Sequence, residues 1–211
     1  MLYDPRWPVA WFDWAQVRCI QGHHLPHLVQ PNAVYFITFH LDDSMPLEVA
    51  LRWRQERDQW LKDNPPPHTE EQEEILKKLY WTRVEHYLDR GVGSCVLASS
   101  EAQDAIEYVL HYSDGSDYRL GDYAVMSNHV HALVHIPDPD EMLPTCLRWK
   151  RISAKTINAQ IDRAGTLWQE ESFDHIMRSP EQLERSREYI RQNPRNITQG
   201  RFRLGCGSLF A

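Results

Sequence analysis

The sequence lacks several features that would place it in a familiar class of protein. Its four cysteines, Cys19, Cys95, Cys146 and Cys206, are far apart, and no Cys-x-x-Cys pair occurs. This argues against a structural zinc site and fits a reducing cytoplasm. Because no run of about 18 apolar residues is present, we expect no membrane-spanning helix. The N-terminus lacks a basic region followed by an apolar one, so we expect no secretory signal.

The chain has instead the composition of a folded protein. It contains 211 residues, of which 42% are hydrophobic, and eight tryptophans. This length is enough for one large domain or for one domain with an elaborated insertion. We divide the chain into an irregular N-terminal lead-in (1–32), a main domain (33–200) with a helical insertion at about 46–90, and a C-terminal tail (201–211).

Charge is unevenly distributed along the sequence. The net charge is −7, yet residues 147–203 contain twelve Lys or Arg and only seven Asp or Glu. A basic segment in an acidic protein can form a phosphate-binding face, because the local field steers an anionic ligand. From charge alone, a solvated helical surface explains the segment equally well.

A strand with alternating histidines is the most informative part of the chain. Residues 127–136 read Ser-Asn-His-Val-His-Ala-Leu-Val-His-Ile, with the period of two that is typical of a β-strand. His129 and His131 therefore project side by side, and two imidazoles at this spacing can hold one divalent cation. An isolated His-x-His is more often a pair of surface histidines. We expect His135, further along the same face, not to be a ligand, and Asn128 to be a candidate for orienting one.

The remaining patterns predict helices and strands around this strand. They indicate strands at 33–41 and 118–126 and helices at 46–63, 69–90, 101–112 and 141–161. The order β–α–β–β–α suggests an antiparallel sheet with helices on one face, and the first two helices form an insertion. Lys150 falls on the apolar seam of the last helix, so its ammonium group should lie near a pocket or reach the surface.

A final helix carries a second chemical feature. Residues 179–182, Ser-Pro-Glu-Gln, form a helix start, and Pro194 ends the helix. Tyr189 and Asn193 are four residues apart and lie on one face. A tyrosine beside a carboxamide can act as a nucleophile if a metal polarises its target. Without other context, a tyrosine with an ordinary hydrogen-bonded hydroxyl is the more common explanation.

Four motifs occur in order along the chain. They are Tyr35–Phe39, Tyr123–His131, Leu167–Gln169 together with Phe173–Arg178, and Tyr189–Pro194. This series resembles the HUH single-tyrosine transposases of bacteria, and most strongly the REP-associated tyrosine transposases. The resemblance covers about residues 33–41 and 92–195. The sequence departs from the family's pattern at Ser127, where proline is common, and after Pro194.

The resemblance implies a fold and a chemistry. The fold would be α+β, a ferredoxin-like (RRM-like) antiparallel sheet. His129 and His131 would bind Mg²⁺ or Mn²⁺ with Asn193 as third ligand, and Tyr189 would attack a phosphate of single-stranded DNA to form a 5′-phosphotyrosine and a free 3′-hydroxyl. Oxygen ligands and the absence of a nearby cysteine independently favour such a hard cation.

The resemblance also implies partners and a setting. It implies a bacterial, cytoplasmic and nucleoid-associated protein that acts as a monomer or homodimer on single-stranded or hairpin DNA, such as a REP element. Basic side chains are candidates for phosphate contacts, although an ordinary role on the protein surface explains them about equally well. These residues are Arg148, Lys150, Arg151, Lys155 and Arg178.

Other functions fit the residues of this sequence less well. A histidine-triad hydrolase needs a histidine at position 133, which is leucine. A cupin or an amidohydrolase needs more distant acid and histidine ligands, which the sequence does not show. The serious alternative is a domesticated, non-catalytic protein that binds DNA hairpins with the same fold.

Overall fold

Seven strands and six α-helices are the main elements of the part of the chain that the computed structural model describes, residues 5–21, 26–65, 67–170, 172–196 and 201–211. The strands are β1 (Arg18–Gln21), β2 (Pro26–Val29), β3 (Ala33–His40), β4 (Arg119–Val125), β5 (His129–Ile136), β6 (Phe173–Ile176) and β7 (Arg203–Cys206). The α-helices are α1 (Leu47–Asp63), α2 (Glu70–Leu76), α3 (Thr82–Leu88), α4 (Ser100–His111), α5 (Met142–Gln160) and α6 (Pro180–Gln192). None of the described helices is long and apolar enough to cross a membrane.

A five-stranded antiparallel sheet has β5 as its middle strand. The strand order is β6-β3-β5-β4-β7. The first four of these strands, with α4 and α5 as crossover helices, give the βαββαβ order of a ferredoxin-like fold. This confirms the predicted α+β fold class. The register places Thr38 opposite His131 and His40 opposite His129.

The alternation of side chains gives the sheet two different faces. Alternate residues of β5, such as Val130, belong to the main core, where α4 and α5 contribute residues such as Ile106 and Trp149. These are the helices predicted to lie on one face. The opposite face carries the histidines, and α6 packs there through Leu183 and Ile190. The final helix is therefore on the histidine side of the sheet.

The helical insertion packs on the histidine face as well. Its second half opens with a capping box, in which the Gln72 backbone N–H donates to Thr69 Oγ1 (3.2 Å) and the Thr69 backbone N–H donates to Gln72 Oε1 (3.0 Å). A π-helical segment, Lys77–Trp81, separates α2 from α3. Tyr80 and Leu88 form a small apolar cluster that packs against Phe173 of β6. This contact holds α3 on the histidine face of the sheet, at the β6 side.

Both ends of the described chain add to the sheet domain. The lead-in contains the antiparallel pair β1–β2, which the sequence pattern does not predict. The segment predicted as a C-terminal tail contributes β7, which pairs with β4. Gly205 of β7 lies so close to the ring of Tyr123 that a Cβ atom at this position would overlap the phenol.

Candidate active site

His129 presents a free ring nitrogen because its other nitrogen is fixed. Asn128 donates two hydrogen bonds through Nδ2, to Leu88 O (3.2 Å) and Val92 O (3.0 Å), so its Oδ1 faces the imidazole. His129 Nδ1 lies 2.8 Å from this oxygen and donates its proton to it. Nε2 then carries the lone pair, and it is buried without a hydrogen-bond partner among the described residues. The hydrogen bond expected of Asn128 is therefore present.

His131 is held in a similar way from the neighbouring strand. Its Nδ1 lies 2.8 Å from Oγ1 of Thr38, the residue opposite it in the sheet. Donation from Nδ1 to this hydroxyl leaves Nε2 as an acceptor, and this atom is also buried and unpartnered within the described ranges. The two rings meet edge to face with their centroids 4.6 Å apart. Two lone pairs thus converge from adjacent positions of β5.

Burial keeps both imidazoles neutral. It lowers the pKa of His131 to about 3. It also lowers the pKa of His129 well below the usual value, and the neighbouring His131 and His40 add to this effect. Neutral imidazole is the form that binds a metal ion, so both ligands are ready at pH 7.

Helix α6 places Tyr189 over the histidines. Ser179 caps the helix by accepting a hydrogen bond from Gln182 N–H (3.2 Å), and Pro180 occupies the first turn. The Tyr189 ring lies 5.5 Å from the His131 ring, measured between centroids, and its hydroxyl is buried without a described partner. Burial raises the pKa of Tyr189, and the carboxylates of Glu85 and Asp89 raise it further.

The ligand positions include a carboxylate that the sequence does not indicate. Asp89 follows the last residue of α3, and its Oδ1 lies 3.8 Å from His129 Nε2. One ligand atom each from Asp89, His129 and His131 all lie within 4.8 Å of one another. Asn193 stands beside them, and its Nδ2 donates to Asp89 Oδ1 (3.4 Å).

These groups suit a divalent cation. Two buried imidazole nitrogens without partners would each cost about 1–3 kcal/mol, and a bound cation would remove that cost. The buried Oδ1 of Asn193 is a further unpartnered acceptor on the same side. Oxygen donors combined with imidazole are the ligands that Mg²⁺ and Mn²⁺ accept, and no described cysteine joins them.

The comparisons with known proteins match this site to a family. Residues 94–193 match the family model described as "Transposase IS200 like". This segment, a little under half of the chain, is similar to the IS200-like transposases. It contains His129, His131, Tyr189 and Asn193, whereas Asp89 precedes it. Transposases of this family are DNA-cleaving enzymes that depend on metal ions in general.

The solved structure of a REP-associated tyrosine transposase bound to a REP hairpin is similar with a TM-score of 0.41 and 14% sequence identity. The alignment covers 79% of this chain and 68% of that chain. Among curated proteins, none matches this chain significantly.

His135, the third histidine of β5, contacts the N-terminal segment. His135 Nε2 donates to the carbonyl oxygen of Pro8 (2.9 Å), and Trp7 packs against the ring edge to face. The N-terminal segment therefore covers this end of the histidine face. The converging ligand atoms belong to Asp89, His129 and His131, and the role of His135 stays a prediction.

The predicted phosphate contacts lie away from Tyr189. Arg151 and Lys155 are exposed on α5, which covers the opposite face of the sheet from α6, and Arg148 on the same helix is half-buried. Lys150 is buried and donates to the carbonyl oxygens of Gln169 (3.1 Å) and Glu170 (2.5 Å).

Arg178, which precedes α6, pairs with Glu73 and lies over the ring of Phe12. The structure thus brings none of these five cations to the histidine pair. Their role in DNA binding stays a prediction.

Sequence reasoning missed the contribution of α3. Glu85 and Trp81 line a cleft between this helix and the sheet, next to Thr38. Asp89 ends the same helix, and a single carboxylate at a helix end has no spacing that marks it as a ligand. Only the packing of α3 onto β6 brings Asp89 to His129, so no local pattern in the sequence could have revealed it.

Proposed function

We propose that this protein is a transposase that cleaves and rejoins single-stranded hairpin DNA through a covalent bond between Tyr189 and a 5′-phosphate. The observation that carries the proposal is the convergence of two unpartnered histidine nitrogens and a buried tyrosine hydroxyl on one face of the sheet. The histidines sit on the middle strand, and Tyr189 sits on a helix that is capped and anchored by buried residues. This rigidity suits chemistry that needs fixed geometry.

The histidines would hold the metal ion that the family requires. His129, His131 and Asn193 would bind it, and Asn128 and Thr38 would keep the imidazoles in the correct orientation and tautomer. When bound, Mg²⁺ or Mn²⁺ withdraws charge from the scissile phosphate and makes it a better electrophile.

Tyr189 would be the nucleophile. Its Oη attacks the phosphorus, the bond from phosphorus to the 3′-oxygen breaks, and the tyrosine proton is lost to solvent while the leaving oxygen becomes a 3′-hydroxyl. A free 3′-hydroxyl reverses the same exchange and joins two strands. Burial and two nearby carboxylates hold the phenol in its protonated form, so cleavage needs positive charge in the site.

A covalent adduct tests the proposal. We expect the full-length protein, incubated with labelled hairpin DNA and Mn²⁺, to form a protein–DNA band that survives denaturing electrophoresis. Tyr189→Phe removes the nucleophilic oxygen and should abolish the band, and His131→Ala should reduce it to background. The exposed Tyr108→Phe is the matched control and should leave it unchanged.

Two outcomes would contradict the proposal. An adduct that persists in Tyr189→Phe would remove Tyr189 as nucleophile, and undiminished cleavage in His131→Ala would remove the metal site. Hairpin binding without any adduct in the wild-type protein would instead favour the non-catalytic DNA-hairpin-binding protein.

A further inference from the structure

We propose that Asp89, at the end of the helical insertion, is a direct ligand of the divalent cation that His129 and His131 hold. This inference rests on the proposed function, because it concerns the same metal ion. It assigns a chemical role to an insertion that lies outside the part of the chain matched to the transposase family.

The distances are those of a ligand set that is nearly assembled. Two atoms that each lie about 2.1 Å from one Mg²⁺ are at most about 4.2 Å apart. Asp89 Oδ1 and His129 Nε2 are 3.8 Å apart, inside this limit. The three ligand atoms of Asp89, His129 and His131 all lie within 4.8 Å of one another, so a small contraction completes the set.

Asp89 is held in place by the residue that orients His129. Leu88 is fully buried, and its carbonyl oxygen accepts from Asn128 Nδ2, as does that of Val92. Asn128 therefore hydrogen-bonds to the backbone on both sides of Asp89, and its Oδ1 accepts a hydrogen bond from the His129 ring. Gly91 turns the chain between these two contacts with φ of +64°, a conformation that favours glycine. One side chain thus fixes two proposed ligands relative to each other.

The surroundings of Asp89 favour a cation over a structural ion pair. The Asp89 carboxylate contacts Asn193 Nδ2 at 3.4 Å and His129 Nε2 at 3.8 Å. The distance to His129 Nε2 is longer than a hydrogen bond, so neither described contact of this carboxylate is a short ion pair.

Charge supports the same assignment. His129, His131 and Asn193 are all neutral ligands, whereas Mg²⁺ and Mn²⁺ bind most strongly where anionic oxygen is present. Glu85 lies one turn earlier on α3 and lines the neighbouring cleft, but it is outside the group of converging ligand atoms. Asp89 is therefore the carboxylate that supplies the negative charge.

Direct measurement of metal binding tests the inference without reference to catalysis. We expect Mn²⁺ titrations of the full-length protein without DNA, followed by calorimetry and by electron paramagnetic resonance, to show one site. Asp89→Asn keeps the size of the side chain and should weaken Mn²⁺ binding about tenfold or more, as His131→Ala should. Glu74→Gln removes an exposed carboxylate from α2 of the same insertion and is the matched control, with unchanged affinity expected.

A cysteine at this position distinguishes ligation from long-range electrostatics. Asp89→Cys places a soft thiolate beside the histidines, and Co²⁺ bound there should show a thiolate-to-cobalt charge-transfer band that the wild-type protein lacks. Co²⁺ bound by this variant without the band would overturn the proposal. An Asp89→Asn protein that binds Mn²⁺ as tightly as the wild type, or a wild type that binds none, would overturn it as well.

The two proposals fail in different ways. If the wild-type protein forms the Tyr189 adduct but Asp89→Asn binds Mn²⁺ normally, the proposed function stands and the role of Asp89 falls. If Mn²⁺ binding depends on Asp89 but no adduct forms with any hairpin DNA, the ligand assignment stands and the proposed cleavage falls.

Discussion

At the scale of single residues, the site is organised by partners that are not themselves ligands. Asn128 and Thr38 each contact the Nδ1 atom of one histidine and leave its Nε2 atom open. Without such a partner, either ring nitrogen of a neutral imidazole could carry the proton. The orientation of the two lone pairs is therefore encoded by an amide and a hydroxyl beside the histidines.

Asn128 provides the prediction at this scale. Asn128→Ala removes the partner of His129 Nδ1 and leaves the carbonyl oxygens of Leu88 and Val92 without their shared donor. We expect Mn²⁺ affinity to fall about 10- to 100-fold, and the free energy of unfolding to fall by about 1–3 kcal/mol for the buried groups left unpaired. Calorimetric titration and urea denaturation measure these two quantities.

The control uses the same substitution elsewhere. Asn158 also donates through Nδ2 to a backbone carbonyl, that of Gly165 (2.9 Å), but it lies on α5, away from the histidines. Asn158→Ala should leave Mn²⁺ affinity unchanged. If both variants bind Mn²⁺ like the wild type, Asn128 does not orient the ligand.

At the scale of elements, two helices form the walls of the site. Helix α6 brings Tyr189 and Asn193 from one side, and α3 brings Glu85 and Asp89 from the other. Each helix is anchored by its own apolar contacts, Leu183 and Ile190 for α6 and Leu88 with its cluster for α3. The strand between them supplies only the histidines. The chemistry thus depends on three elements that are distant in sequence.

The start of α6 gives a prediction about stability. Ser179→Ala removes the cap on Gln182 N–H, and loss of a serine N-cap costs about 1 kcal/mol of the free energy of unfolding. Urea denaturation should show this loss, whereas Ser186→Ala in the middle of the same helix should have a smaller effect. An unchanged stability in Ser179→Ala would mean that the contact of Gln182 Oε1 with Arg178 N–H (2.8 Å) holds the helix start alone.

At the scale of the whole molecule, stability is linked to pH through the histidine face. Burial lowers the pKa of His40 to about 4 and of His131 to about 3, whereas an unfolded chain has histidine pKa values of about 6.5. Between about pH 6.5 and pH 3, the unfolded state therefore binds more protons than the folded state. The free energy of unfolding is highest above pH 6.5 and falls as the pH falls towards 3.

One substitution isolates a single histidine in this linkage. A buried histidine that stays neutral in the folded protein becomes protonated in the unfolded chain as the pH falls from 7 to 5. This difference lowers the free energy of unfolding by about 2 kcal/mol. We expect His131→Gln to lose about 2 kcal/mol less than the wild type over this interval in urea denaturation. His86→Gln, an exposed position on α3, is the control. Equal losses in His131→Gln and the wild type would show that His131 is protonated in the folded protein.

The sequence predicts the sheet and the elements that carry His129, His131 and Tyr189, for local physical reasons. The period of two in β5 and the helix start at Ser179 are local signals, and both appear in the structure. Asp89 is different, because its place beside His129 depends on the packing of Tyr80 and Leu88 against β6. Contacts between distant elements leave no spacing in the chain, so the carboxylate and the position of the insertion had to come from the structure.

The central claim is that Tyr189 becomes covalently bound to DNA. The most direct measurement is mass spectrometry of the adduct after nuclease and protease digestion, which locates the nucleotide remnant on one peptide. The account predicts a 5′-phosphate remnant on Tyr189, formed only when Mn²⁺ or Mg²⁺ is present. A remnant on any other residue, or the same yield on Tyr189 without a divalent cation, would contradict it.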